Sequence, residues 1–178
     1  NDEASLTYLS ELFASQLGGR RLIGNRTRWL RFRTVTCQTW HTGNVVLLGD
    51  AAATAHYSIG SGTKLAMESG IALMDAVTRA PDLATALTDF EKARRPQVEH
   101  LQTVATRSMH WWDDFAHRLD TPVGQLLVAY MTRAGKVPLT RFADSSPAIV
   151  RAGLAQFAGT DPSAVPDHGL AEWILERP

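Results

Sequence analysis

The chain has very little cysteine and no excess of charge of either sign. Cys37 is the single cysteine among 178 residues, which excludes a disulfide within the chain and favours a reducing compartment such as the cytoplasm. Basic and acidic residues number 18 each, so the formal net charge is zero. This balance argues against nucleic acid or an anionic membrane as a general partner.

Long apolar runs and one common nucleotide-binding motif are also missing. No stretch approaches the roughly 20 consecutive apolar residues that a membrane-spanning helix needs. No Gly-x-Gly-x-x-Gly turn, the unit that holds a dinucleotide pyrophosphate, occurs anywhere. The chain opens at Asn1 and moves directly into a helical pattern. We therefore expect it to be the C-terminal part of a longer polypeptide, whose upstream portion is its main partner.

One segment, residues 44–64, combines the features of a ligand-binding turn. The apolar run Val45–Leu48 predicts a short strand buried on both faces. Gly49 permits a tight turn, and Asp50 then places a carboxylate at the end of the strand, where open α/β sheets bind ligands. Asp50 capping its own turn is the alternative. We favour contact with a hydroxyl-rich cofactor.

The second half of that segment predicts a loop leading into a helix. Gly60 and Gly62 flank Ser61, so backbone amides can approach a flat group without a Cβ in the way. From Thr63 to about Arg79 the apolar spacing predicts a helix, whose N-terminus directs partial positive charge at the loop. The two halves together suit a flavin nucleotide, although ordinary turn glycines are the alternative interpretation.

These residues carry a resemblance. The segments Gly49–Ala52 and Gly60–Gly62 resemble the second flavin-binding motif of the FAD-dependent aromatic hydroxylases with the p-hydroxybenzoate hydroxylase fold. Phe90–Pro96 (FEKARRP) resembles the helix that closes the FAD domain in that group. Ala55–Glu68 is similar to the branch acting on salicylyl-CoA and 2-aminobenzoyl-CoA, and violacein-type indole hydroxylases share part of this pattern.

Three positions depart from the wider family. Ala53 stands where the family has His, which removes a hydrogen-bonding group and leaves the tuning of the flavin open. His56-Tyr57 stands where the family has Pro, and Lys64 replaces a common Asn. The last two departures fit the CoA-ester branch.

The resemblance implies an α/β fold class, with strands up to about residue 50 followed by a mostly helical half. Residues 1–97 would be the C-terminal part of an FAD and substrate domain, residues 98–158 a C-terminal helical region, and residues 159–178 a loop or tail. Within this layout we predict a helix over Leu6–Leu17 and a strand over Arg28–Trp40. The predicted turn at His41–Asn44 is followed by helices that begin near residues 63, 82, 98, 121 and 147.

The resemblance also assigns site residues. Those implied to bind FAD are Gly49, Asp50, Ala51, Ser58, Gly60, Ser61, Gly62, Thr63 and Lys64. His56 and Tyr57 are implied to be catalytic, facing an aromatic substrate, although a lone His is more often structural. With NADH or NADPH and O₂, the implied reaction hydroxylates an aryl-CoA thioester or indole-type compound through a flavin C4a-hydroperoxide.

Other features carry structural interpretations. The aromatic residues Trp111, Trp112 and Phe115 are expected in the core, and Arg94-Arg95 in surface ion pairs or a helix cap. His110 and His117 lack ligands at metal-binding spacing, so no metal site is expected. Two alternatives stay open, a non-hydroxylating flavoprotein or ligand-binding homologue, and a helical interaction module. Homodimerisation also stays open.

Overall fold

The computed structural model describes residues 2–26 and 28–176. The chain divides into two compact units, with the boundary between Phe32 and Arg33. The first unit contains helices α1 (Asp2–Leu12) and α2 (Ala14–Leu17), so the single helix predicted over Leu6–Leu17 begins earlier and is interrupted at Phe13. An irregular segment follows them. The indole of Trp29 donates a hydrogen bond to Ser5 Oγ at 2.8 Å, which ties this segment to α1.

The second unit starts with a small hairpin instead of a sheet core. Strand β1 (His41–Thr42) pairs antiparallel with β2 (Val45–Val46). Gly43 adopts a positive φ of 55° at the first position of the two-residue turn, as such hairpins favour. The predicted hairpin-like entry into the Asp50 segment is therefore confirmed, but the turn is confined to Gly43 and Asn44, because His41–Thr42 is strand.

The strand predictions on both sides of that turn are wrong in extent. The strand expected over residues 28–40 is reduced to one isolated bridge, between Thr36 and Ala53. The run expected to be buried on both faces is strand only at Val45–Val46, and the Val45 side chain is 59% exposed. A doubly buried strand needs a neighbour on each side. The described residues contain no third strand. The structure is therefore mostly helical with one hairpin, and not the α/β arrangement that was expected.

Helices make up the rest of the second unit. Their bounds are α3 Gly62–Arg79, α4 Leu83–Asp113, α5 Val123–Thr132, α6 Leu139–Ser145, α7 Pro147–Ala158 and α8 Leu170–Leu175. Asp82 caps α4 by accepting a hydrogen bond from the Thr85 amide at 2.8 Å. Helix α4 continues through Pro96, so no helix boundary falls there. None of the helices in the described residues is long and apolar enough to cross a membrane.

Two hydrophobic clusters hold this unit together. The first joins the hairpin, α3 and α4, and its buried members are Trp40, Ala52, Ala53, Leu65, Phe90 and Val98. The second joins α5 to α8 and includes Val128, Phe142 and Leu154. Val165 and Leu170 are buried in this second cluster, so the segment after residue 159, expected to be a loop or tail, packs against the helices and contains α8.

Candidate functional site

The turn that carries Asp50 is a single 3₁₀ turn, Gly49–Ala51. Gly49 has a φ of 57°, and its carbonyl accepts hydrogen bonds from the amides of Ala52 and Ala53, both at 3.0 Å. The Asp50 side chain is exposed and receives no hydrogen bond from its own turn in the part of the chain that the structure describes. The capping alternative is therefore not supported, and the carboxylate is available to a ligand.

The start of α3 presents backbone donors without intrahelical acceptors. The Leu65 amide is the first to find one, the carbonyl of Ser61 at 2.9 Å, so the amides of Gly62, Thr63 and Lys64 precede the helical hydrogen-bond ladder. A Cβ added at Gly60 or Gly62 would meet no atom within 4 Å. The surface in front of the helix is thus open, and it suits the electron-rich edge of a planar group.

The Asp50 turn and the α3 terminus border the same narrow cleft. Its lining includes Gly49, Asp50, Gly62, Leu65 and Ser69. A Cβ at Gly49 would lie 3.1 Å from Ala66 Cβ, so the glycine allows the turn to pack closely on α3. The cleft itself encloses only about 10 Å³, so a flavin edge would contact the open surface at its mouth, where the Asp50 carboxylate suits hydroxyl groups and the α3 amides suit a polarised ring edge.

The loop between the turn and α3 holds His56 and Tyr57. His56 is half-buried and its ring lies 4.3 Å from that of Tyr57, centroid to centroid. His56 Nδ1 accepts a hydrogen bond from the Ser58 amide at 3.3 Å and lies 2.9 Å from Ser58 Oγ. Tyr57 is 67% exposed. The Ser58 side chain thus contacts His56, and it reaches the buried Ser108 as well.

The remaining predicted FAD contacts differ in their surroundings. Ser61 is buried, and its hydroxyl donates to the carbonyl of Ile59 at 3.2 Å. Ala51 and Thr63 are exposed. Lys64 Nζ lies 3.3 Å from a carboxylate oxygen of Glu68, with which it forms an ion pair. None of these side chains has a position that excludes the predicted role.

Arg94 corrects the expectation of two surface arginines. It is 5% exposed, and its guanidinium donates to Ser69 Oγ, to the Leu65 carbonyl and to Glu68, the last at 2.8 Å. The hydrogen bond from Arg94 holds the pKa of Glu68 below its usual range. Arg94 therefore joins α4 to α3 behind the cleft.

Arg95 points in another direction, toward the segment before the hairpin. It donates to the carbonyls of Cys37 and Gln38, both at 2.8 Å, and pairs with Glu91. The sequence analysis did not predict that these two adjacent arginines have different surroundings. The available signal was helical geometry, because consecutive residues on a helix point about 100° apart and cannot share one environment.

The aromatic residues at the end of α4 form a cluster with Tyr130 of α5. Trp111 is buried, as predicted, whereas Trp112 is 40% exposed. Their rings contact each other edge to face, with centroids 5.0 Å apart. His110 and His117 are exposed, and across the described ranges no group of three His, Cys, Asp or Glu side chains could hold a metal ion.

Comparisons with known proteins find relatives over most of the chain. No protein-family model matches the chain. It is 51% identical over 129 residues to the 3-hydroxy-4-methyl-anthranilyl-(aryl-carrier protein) 5-monooxygenase of Streptosporangium sibiricum, covering 72% of the chain and 36% of that protein. It is 42% identical over 138 residues to the salicyloyl-CoA 5-hydroxylase of a Streptomyces species, covering 75% and 26%.

A more distant relative shows the same pattern of coverage. The protodeoxyviolaceinate monooxygenase of Chromobacterium violaceum is 30% identical over 139 residues, which cover 78% of the chain and 37% of that protein. The chain thus spans between 26% and 37% of the length of these relatives. Over most of its length, the chain is homologous to monooxygenases of the salicyloyl-CoA 5-hydroxylase type.

Proposed function

We propose that the chain supplies one wall of the flavin site of an FAD-dependent aromatic monooxygenase with a p-hydroxybenzoate hydroxylase-like fold. The single observation that supports this most is the cleft shared by the Asp50 turn and the open N-terminus of α3. These relatives are about twice as long as the chain. The rest of the FAD site, including its pyrophosphate subsite, therefore comes from other parts of the same polypeptide. We place the protein in the cytoplasm.

Each part of the cleft has a defined role in this proposal. Asp50 accepts hydrogen bonds from ribityl hydroxyls of FAD. The amides of residues 62–64 donate to the electron-rich edge of the ring, and Gly60 and Gly62 let that edge approach the backbone. FAD, reduced by NADH or NADPH, supplies the oxygen chemistry when bound. His56 and Tyr57 border the aromatic substrate and keep water from it.

The substrate class follows from the names of two relatives. One acts on an anthranilyl group borne by an aryl-carrier protein, and the other on salicyloyl-CoA. Both names describe an aromatic acyl group attached to a large carrier. We infer that this protein hydroxylates an aromatic acyl thioester. An indole-type substrate is the second candidate, favoured by the similarity to the protodeoxyviolaceinate monooxygenase.

A direct assay separates hydroxylation from other flavin chemistry. The full-length gene product is incubated with FAD, NADH or NADPH, and salicyloyl-CoA, and the product is analysed by mass spectrometry. A mass gain of one oxygen atom on the aromatic ring supports the proposal. Oxidation of the nicotinamide without an oxygenated product would contradict it and identify a non-hydroxylating flavoprotein.

Replacing Asp50 tests the cofactor assignment. Loss of a charge-assisted hydrogen bond to a hydroxyl group is expected to raise the Kd for FAD by about 10- to 100-fold in Asp50→Ala. Flavin fluorescence during titration of the full-length apoprotein measures this Kd. Asp75→Ala is the matched control, because Asp75 is an exposed carboxylate on α3 whose ion-pair partner is Arg79. An unchanged Kd in Asp50→Ala would remove Asp50 from the site.

A further inference from the structure

A chain of hydrogen bonds connects Arg133, just after α5, to His56 beside the cleft. Arg133 Nε donates to Ser108 Oγ at 3.0 Å, and Ser108 is fully buried in α4. The hydroxyl oxygens of Ser108 and Ser58 lie 2.8 Å apart, and Ser58 Oγ lies 2.9 Å from His56 Nδ1. Four side chains from three parts of the fold thus form one continuous path.

Arg133 is fixed firmly at its end of the path. Its guanidinium also donates to the carbonyls of Ser58 at 3.0 Å and Tyr130 at 2.6 Å, and it stacks over the Tyr130 ring with a distance of 4.1 Å to the centroid. The same side chain therefore holds the backbone of the His56 loop and the first hydroxyl of the path.

The direction of the protons along this path follows from the groups at its two ends. A guanidinium can only donate, so Ser108 Oγ accepts from Arg133. Among the hydrogen bonds of the residues that the structure describes, Ser108 Oγ has one further partner, Ser58 Oγ, and since a hydroxyl can rotate to donate or to accept, a Ser108 that accepts from Arg133 can direct its own proton to Ser58 Oγ. The Ser58 hydroxyl then has His56 Nδ1 as its acceptor.

A second contact leads independently to the same direction. The backbone amide of Ser58 points at His56 Nδ1 at 3.3 Å, and an amide is also only a donor. A proton on Nδ1 would face the Ser58 N–H. Two donors therefore converge on Nδ1, and the ring proton of neutral His56 belongs on Nε2.

We propose that Arg133, acting through Ser108 and Ser58, is a positioning residue that fixes His56 as the neutral Nε2–H tautomer. His56 then has a proton on Nε2 to donate, and its Nδ1 is not a base that accepts a proton. This inference rests on the proposed function only for the identity of the acceptor to which His56 Nε2–H donates. For an aromatic acyl thioester, that acceptor is an oxygen of the acyl group or a ring hydroxyl.

The tautomer is measured by nitrogen NMR on the full-length gene product labelled with ¹⁵N-histidine, at about pH 8, where an ordinary imidazole is neutral. A His56→Gln variant assigns the signals. We expect unprotonated Nδ1 and protonated Nε2 in the unaltered protein. In Ser108→Ala and in Arg133→Gln, we expect the ratio of the two tautomers to shift toward Nδ1–H by about fivefold, because each variant breaks the directed path.

Two matched variants serve as controls. Ser145→Ala removes a hydroxyl that donates to the Phe142 carbonyl, and Arg79→Gln removes an exposed guanidinium; both should leave the His56 signals unchanged. A protonated Nδ1 in the unaltered protein, or no shift in both path variants, would overturn the inference. Since the tautomer is read without cofactor or substrate, a protein that binds no flavin would refute the proposed function alone.

Discussion

Among individual residues, Glu91 of α4 is the one that holds the start of the hairpin. Its carboxylate accepts a hydrogen bond from the Trp40 amide at 2.9 Å, lies 2.9 Å from His41 Nδ1 and pairs with Arg95. Burial alone would raise the pKa of Glu91, but the hydrogen bonds from Trp40, Arg95 and His41 outweigh it and lower the pKa below its usual range. Glu91 therefore fixes the hairpin to α4 as a charged group.

This pKa predicts a pH dependence of stability. A carboxylate with a lowered pKa in the folded state stabilises the fold above its unfolded pKa, near 4.5. That stabilisation is lost as the pH falls through the lower folded value. We expect the free energy of unfolding to decrease below about pH 5, and less steeply in Glu91→Gln, which should already be destabilised by about 2 kcal/mol at pH 7.

Urea unfolding at pH 7, 5 and 4 measures both effects. Glu172→Gln is the control, because Glu172 is exposed and lies far along the chain in α8. If Glu91→Gln kept the pH dependence of the unaltered protein, the assignment of that dependence to Glu91 would be wrong.

Single residues also show how far the sequence predicts the site. Asp50, Gly60 and Gly62 could be selected because a carboxylate after a glycine and a Gly-x-Gly before a helix each have a local meaning. Ser108 and Arg133 could not, because their link to His56 joins positions 50 and 75 residues apart in sequence through Ser58. Contacts between residues so far apart in sequence depend on how the helices pack, and a local sequence pattern does not predict that packing.

At the level of elements, most helices were predictable and the strands were not, although α6 was not predicted and α4 runs through the boundary predicted at Pro96. Helices α3, α5 and α7 follow their apolar spacing, and a proline opens α7. A helix forms its hydrogen bonds within its own segment, so local sequence carries the information. A strand takes its hydrogen bonds from another segment, and the apolar run after Asn44 extends no further than Val46 as a strand.

The contact between α5 and α7 gives the sharpest prediction for an element. A Cβ at Gly153 of α7 would lie 2.5 Å from both the Gly124 carbonyl oxygen and Val128 Cγ2 of α5. Backbone cannot move aside as a flexible side chain can. Gly153→Ala is therefore expected to lower the free energy of unfolding by about 1–3 kcal/mol, in spite of the better helix propensity of alanine.

Gly70 in α3 supplies the matched control for this substitution. It is exposed and also lies inside a helix, but a Cβ there would meet nothing within 4 Å. Gly70→Ala should therefore raise the free energy of unfolding by about 0.5–1 kcal/mol. Chemical denaturation of the two variants side by side measures the difference, and equal effects would contradict the close approach of α5 and α7.

At the scale of the whole molecule, α3 has an apolar face that the chain leaves exposed. Met67, Ile71 and Met74 are 66%, 64% and 67% exposed and follow each other at helical spacing on one side. Leu65 and Ser69 are buried on α3. Since these homologous monooxygenases are about twice as long as the chain, we expect the additional polypeptide of this protein to cover this face.

Thiol labelling of the full-length gene product tests this expectation. In a background in which Cys37 and any cysteine of the additional polypeptide are replaced by Ser, Met74→Cys is expected to react at least about tenfold more slowly than Asp89→Cys, since a covered thiol is inaccessible to the reagent. Asp89 is the reference because it is exposed on α4. Equal rates would mean that the apolar face of α3 stays open to solvent in the whole protein, and the cover would then have to be a separate molecule.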